Sequence, residues 1–234
     1  MGKRDKLIGL RPPLPGDEAV LRKGKGDRVI LLHGLWRSHL AMKALSDGLG
    51  QKDYEVLSFP YPSFLRTLED IVQMLAETLR ELPEKRTHFV SHSMGGIVVR
   101  ALAKAHSELV CGRVVMIAPP SQGSELVDWL EDSPLGQLIL GPGGLALGKE
   151  KVRREVPPGI EGAEVGVIMG RGGRNPLFQS FLEGENDGTV TVEGGKVEGM
   201  ADFAVVDYGH MHIQQEEEVV KMVEHFLSKG QFQG

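Results

Sequence analysis

Ser91-His92-Ser93-Met94-Gly95-Gly96 is the stretch of this chain with the clearest chemical potential. It follows a stretch, Thr87 to Ser91, that reads as a strand, and it precedes an apolar pattern of helical spacing that starts near Met94. A serine at the apex of such a strand-to-helix turn is lifted above the sheet with its hydroxyl free to act as a nucleophile. Ser91 and Gly95 are small enough to let strand and helix crowd behind it, and Gly96 extends the close approach. An ordinary serine-glycine turn carries similar letters, so the strand-turn-helix context is what gives the pattern meaning. A second stretch, His33-Gly34-Leu35-Trp36, leaves an aliphatic run, Val29 to Leu32. A loop there can offer backbone N–H groups to charge that develops only in a transition state, and the amides of Leu35 and Met94 are the expected pair. His33 reads as structural. Trp36 reads either as a wall of a substrate pocket or as a packed aromatic.

The elements that must position these residues follow from hydrophobic periodicity. Val29 to Leu32, Tyr54 to Phe59, Thr87 to Ser91, Val114 to Ala118, Glu164 to Met169 and Phe203 to Val206 read as strands. A helix is expected from Ser38 to Gly50, with Ser38 as its cap and Gly48 and Gly50 as its stop. Leu68, Ile71, Val72, Leu75, Leu79 and Leu82 mark a second, with Thr67 and Asp70 at its start and Pro83 as its breaker. Ile97, Val98, Ala101, Leu102 and Ala105 mark a third. The last runs from Gln215 to Leu227, where Glu216, Glu217 and Glu218 suit the positive end of the helix dipole. Strands alternating with helices predict an α/β fold with a mostly parallel central sheet covered on both faces, and ligands at the carboxyl ends of the strands.

Pro119 to Gly159 interrupts this alternation. A short helix is expected at Ser124 to Leu130, followed by a glycine- and proline-rich apolar stretch and the basic run Lys149 to Arg154. It reads as a surface excursion or as a small cap whose Leu135, Leu138, Leu140, Leu145 and Leu147 face an acyl chain. Leu135 to Gly148 lacks charge, yet it falls short of the roughly 18 to 20 apolar residues of a membrane span, so no integral membrane segment is expected.

With 234 residues, 41% of them hydrophobic, the chain can bury a full core as one domain without staples. A formal net charge of -5 gives no reason to expect nucleic acid as a partner. The single cysteine, Cys111, rules out an internal disulfide and is read as a packing residue. Leu7 to Leu14 is too short and proline-broken for a signal peptide, and Lys6 stands where a myristoylation signal needs a hydroxyl, so cytoplasmic residence is expected. His210 and His212 have no third metal ligand nearby, Gly141 to Gly144 lacks the lysine of a phosphate loop, and no cofactor is expected.

Taken with Ala118-Pro119-Pro120-Ser121-Gln122-Gly123-Ser124, Glu185-Asn186-Asp187-Gly188-Thr189-Val190 and Gly209-His210, these motifs make the chain resemble the α/β-hydrolase superfamily, and within it the small lipase-like esterases of bacterial type. The resemblance runs from Asp27 to Phe232. It implies that Asp187, in an Asp-Gly-x-Val element, is the acid and that His210, ahead of the final helix, is the base. The order Ser93, Asp187, His210 is the one expected for this fold. Asp202 and Asp207 are the alternatives to Asp187, but they belong to or flank a strand. Gly209 is expected to free the backbone before His210, with Met211 and Ile213 anchoring the loop and His212 lying beyond it. Ser91 departs from the commoner glycine at the start of the elbow. The implied activity is hydrolysis of small-molecule or lipid esters through an acyl-serine, with a thioesterase, an acyltransferase and an inactive binding protein as the other readings.

Overall fold

Val29 and Leu31 belong to one apolar cluster and Ile30 and Leu32 to another, and all four are fully buried, so their strand needs cover on both faces. The structure, a computed structural model, describes residues 20–173 and 182–232; the expectations for residues 1–14 lie outside them. Its strands are β1 (Val20–Arg22), β2 (Arg28–Leu32), β3 (Glu55–Phe59), β4 (Thr87–His92), β5 (Val114–Ile117), β6 (Val165–Gly170) and β7 (Asp202–Val206). Its α-helices are α1 (Lys43–Gly50), α2 (Leu68–Glu81), α3 (Met94–Ala105), α4 (Glu125–Glu131), α5 (Pro134–Leu145), α6 (Lys149–Glu155) and α7 (Glu217–Lys229). The sheet order is β1-β3-β2-β4-β5-β6-β7, parallel throughout except for β1. Among the described residues no helix is long and apolar enough to cross a membrane.

Six of the seven strands match the stretches expected from the sequence. β1 does not, because its three exposed residues carry no pattern of burial. Backbone pairing alone makes it a strand, with Val20 opposite Ser58 and Arg22 opposite Val56. On one face of the sheet, α2 and α3 bury Ile71, Leu75, Ile97 and Val98 against Ile30, Phe89 and Met116. On the other, α1 and α7 bury Leu45, Leu49, Val223 and Phe226 against Val29, Val90 and Val115. Each fully buried aliphatic side chain contributes roughly 1.5 to 3 kcal/mol.

Local signals held at some helix ends and failed at others. The Thr67 hydroxyl accepts from Asp70 N at 3.2 Å, capping α2 as expected. Ser38 makes no side-chain cap: it precedes a 3-10 turn (His39–Met42), and its hydroxyl is buried without a partner among the described residues. Gly48 is not a stop either. It lies inside α1 where a Cβ would come within 2.5 Å of Val220 Cγ1, so its role is close helix packing against α7. Ala105 is exposed rather than part of the α3 stripe, and Cys111 is exposed rather than packed.

Residues 119–159 form three short helices, α4 to α6, and not one helix and a loop. Ser124 caps α4 and Ser133 caps α5. The helical path of α5 breaks at Gly141, at φ 61°, ahead of Pro142. A side chain at Gly141 would collide with the Phe64 carbonyl at 2.2 Å, and one at Gly143 with the Ser63 carbonyl at 1.9 Å. The glycines of this apolar stretch thus let it dock closely on the loop after β3.

Candidate active site

Strands β2 and β4 are neighbours, with Leu32 opposite Ser91, so the loops leaving their carboxyl ends emerge side by side. The chain order around the sheet reverses here, since β3 flanks β2 on one side and β4 on the other. Such a crevice is where open α/β sheets bind ligands. The loop after β2 carries Leu35 and Trp36, and the turn after β4 carries Ser93.

Ser93 has φ 52° and ψ -121°, a conformation that costs a non-glycine residue of order 1 to 3 kcal/mol. The surroundings hold it there. Ser93 N donates to Ile117 O at 2.9 Å, and Gly96 N donates to Ser93 O at 2.9 Å. A Cβ at Gly95 would lie 2.7 Å from Leu32 O, and one at Gly96 2.8 Å from the Pro119 Cβ, so both flanking glycines are required by close approach. Ser91, in place of the commoner glycine, is fully buried and fits without displacing the turn.

His210 Nε2 lies 3.0 Å from Ser93 Oγ, and His210 Nδ1 lies 2.7 Å from Asp187 Oδ2. The carboxylate assigns the proton to Nδ1, leaving the Nε2 lone pair toward the serine hydroxyl. Asp187 is oriented in turn: its Oδ1 accepts from Thr189 N at 2.9 Å and from Val190 N at 2.8 Å. Gly188 makes that turn possible at φ 93°. His210 N donates to Asp187 O at 2.9 Å, tying the two loops together. Of the alternative carboxylates, Asp202 is engaged by Phe203 N and Phe232 N, and Asp207 pairs with Arg171.

The loop before α7 differs in detail from its expected form. Gly209 has no left-handed backbone, and a side chain there would meet nothing closer than 3.5 Å. The tight glycine is Gly173, where a Cβ would fall 1.6 Å from Asp187 O, which makes room for the acid loop. Ile213 is buried and anchors the loop, whereas Met211 is exposed and borders the cavity over Ser93.

That cavity encloses about 300 Å³ and is walled mainly by Leu126, Val127, Leu130, Leu140, Leu147 and Val190. Leu35, Trp36, Ser93 and His210 also border it. Residues of the 119–159 segment therefore line the same space as Ser93. Leu140 and Leu147 do so as expected, but Leu135 and Leu138 are exposed and Leu145 packs on the core beneath. Trp36 is a wall residue, held at φ 54° with its indole N–H donating to Ile139 O at 3.1 Å. Met94 opens α3, so its N–H has no acceptor within the helix and lies at the positive end of the dipole. A larger cleft of about 940 Å³, bordered by Arg100, Ser121 and Lys149, includes none of Ser93, Asp187 and His210. Among the described residues no three His, Cys, Asp or Glu side chains group into a metal position.

His33 is structural. It stacks on Tyr61 at 4.1 Å, donates through Nδ1 to Gly34 O, and receives the Tyr61 hydroxyl on its carbonyl. Burial pushes its pKa down to about 4 and keeps it neutral. Two buried residues carried no signal in the sequence. His92 donates from Nε2 to the His210 carbonyl at 2.9 Å, and burial above all, then the charges of His210 and Arg37, holds its pKa well below the usual range. Arg37 also borders the cavity. Neither has a motif, because only the folded chain puts them beside the serine.

Comparison with known proteins agrees with this architecture. The sequence profile of the α/β hydrolase family matches residues 29–222. The chain is similar to the mature form of the Bacillus licheniformis lipase BlEst2, with a TM-score of 0.74 and 18% identity over 93% of this chain and 99% of that one. It is similar also to MGS-MChE2, an α/β hydrolase enzyme from a metagenome of Moroccan lagoon sediment, with a TM-score of 0.62 and 18% identity over 93% and 97% of the two chains. At these identities the likeness is one of fold. A Mycobacterium phage D29 protein described as a candidate non-heme haloperoxidase is 30% identical over 107 residues, a match spanning 42% of this chain and 38% of the relative. The profile match across most of the chain, on a sheet of the same architecture, means that the chain belongs to the α/β hydrolase family.

Proposed function

We propose that the protein hydrolyses carboxylic esters through an acyl-serine intermediate, with Ser93 as nucleophile, His210 as proton carrier and Asp187 as its orienting acid. The observation that carries this reading is the unbroken chain from Ser93 Oγ through His210 to Asp187, with links of 3.0 and 2.7 Å. A serine hydroxyl is a weak nucleophile until an imidazole takes its proton. His210 Nε2 accepts that proton as Oγ bonds to the ester carbon, and the imidazolium is stabilised by Asp187. The carbonyl oxygen becomes an oxyanion facing the N–H groups of Leu35 and Met94. Collapse expels the alcohol, which takes the proton from Nε2. Water then repeats the sequence on the acyl-serine, releasing the acid and restoring the hydroxyl.

The apolar wall supplied by Leu126, Leu130, Leu140 and Leu147 suits an acyl chain, and the segment 119–159 acts as a small cap on a single domain. A thioester, or an alcohol acceptor in place of water, would use the same groups.

Ser93→Ala removes one oxygen from a turn that tolerates a small residue. It is expected to fold normally and to lose turnover of p-nitrophenyl esters by several orders of magnitude. A fluorophosphonate should label the Ser93 peptide of the unmodified protein. Labelling elsewhere, or near-normal turnover by a folded alanine variant, would overturn the assignment.

A further inference from the structure

Arg37 is among the largest fully buried side chains of the protein, with 2% of its surface exposed. None of its three guanidinium nitrogens has a hydrogen-bond partner among the described residues. The other two buried arginines are satisfied. Arg28 bonds Glu55 at 2.6 Å and the Pro83 carbonyl at 3.0 Å, and Arg100 bonds the carbonyls of Ser121 and Pro157. A guanidinium cannot escape burial by shedding its proton at neutral pH. Leaving such a charge uncompensated costs several kcal/mol, which a stable fold recovers only if something else answers the charge.

The position of Arg37 indicates what answers it. Its N–H closes the turn carrying Leu35 and Trp36 by donating to Gly34 O at 3.2 Å, and the residue borders the cavity that contains Ser93 and His210. Among the described residues no Asp or Glu borders that cavity. Among the described residues that wall it, Arg37 is thus the one permanently charged. Its nitrogens are covered, so the charge reaches an anion in the cavity through the wall and not by direct contact, and with water excluded between them the attraction is less screened than in bulk solvent.

From this arrangement we infer that the ester substrate carries a carboxylate or phosphate group, held in the cavity by the charge of Arg37. This inference rests on the proposed serine chemistry and specifies its substrate class. A neutral ester fits the apolar wall but leaves the cation unanswered.

The test compares each anionic ester with a neutral partner. For carboxylate the pair is mono-p-nitrophenyl glutarate against p-nitrophenyl butyrate. For phosphate it is butyryl glycerol 3-phosphate against monobutyrin. In the unmodified protein at least one anionic member should be favoured by about tenfold or more in kcat/KM, and the favoured pair names the anion. Arg37→Met, which keeps much of the volume without charge, should bring that ratio down at least about tenfold, with Arg37→Lys between. Its melting temperature should rise, since an unpaired buried charge is removed.

A second arm does not depend on turnover. In Ser93→Ala, glutarate or inorganic phosphate should raise the melting temperature, and in the Ser93→Ala, Arg37→Met double variant it should not. Absence of any anionic preference, or a preference that survives Arg37→Met, overturns the inference. Should the fluorophosphonate fail to label Ser93, the serine reading falls, and the thermal arm decides the anion site alone.

Discussion

At the scale of single residues, two histidines two positions apart have different surroundings. His210 presents Nε2 to Ser93 at 3.0 Å and Nδ1 to Asp187 at 2.7 Å. His212 begins the 3-10 turn Ile213–Gln215, its N–H donating to Gly209 O. His210→Ala removes the proposed proton carrier and is expected to lower kcat by roughly four to six orders of magnitude, in line with removal of a triad base. His212→Ala should change it less than about tenfold. Steady-state rates of the two purified variants, with circular dichroism as a folding control, check the ranking, and the reverse order would move the proton-carrying role to His212. His92 belongs to the same account in a positioning capacity. Its bond to the His210 carbonyl requires a protonated Nε2, and burial keeps the ring in that neutral form.

Among elements, α4 and α5 wall the cavity over Ser93, with Leu147 just beyond α5. Leu140 and Leu147 border the cavity, whereas Leu138, 70% exposed, faces solvent. Shortening a wall residue deepens the cavity, and the gain is felt by substrates long enough to fill it. Leu140→Ala and Leu147→Ala should therefore shift preference along a series of p-nitrophenyl esters toward longer acyl chains, by about threefold to tenfold in relative kcat/KM. Leu138→Ser should leave the profile flat. Equal shifts in all three would mean that the segment acts through its overall stability and not through its wall. The position of α5 is set where Gly141 and Gly143 meet the carbonyls of Phe64 and Ser63, and the Trp36 indole ties the loop after β2 to Ile139.

For the molecule as a whole, burial of neutral imidazoles links stability to pH. His33, His88 and His92 all have pKa values lowered chiefly by burial, His33 to about 4. His88 accepts from Arg113 N at Nδ1, at 2.7 Å, which requires a neutral ring. In the unfolded chain these groups titrate near pH 6.5. Their contribution is thus complete above about pH 6.5 and is lost as the pH falls from there toward 4, because the unfolded chain takes up protons first. His33, with its folded pKa near 4, adds a slope of up to about 1.4 kcal/mol per pH unit in that window and loses about 3 kcal/mol by pH 4, and His88 and His92 act in the same direction. Urea midpoints should hold level from pH 8 to 6.5 and fall steadily from 6.5 to 4.5. A level midpoint across both ranges would mean that these rings titrate in the fold as they do in the unfolded chain.

The parts of this protein that the sequence determined by itself are those written in local pattern. Ile30 and Leu32 alternate with Val29 and Leu31, Leu68 to Leu79 repeat at helical spacing, and Ser93 sits between a strand and a glycine pair, so strands, helices and elbow were legible without the fold. The acid and base positions rested on resemblance, since 94 residues separate Ser93 from Asp187 and no local rule spans such a distance. The tertiary structure decided everything that depends on juxtaposition. It made a strand of Val20–Arg22 by pairing it to β3, gave Gly48 and Gly173 neighbours that admit no side chain, and turned an apolar glycine-rich stretch into a helix that walls the cavity. It also put Arg37, without a hydrogen-bond partner among the described residues, on the cavity that Ser93 borders. Burial and missing partners are properties of a whole packed chain, and they leave no mark in the order of its residues.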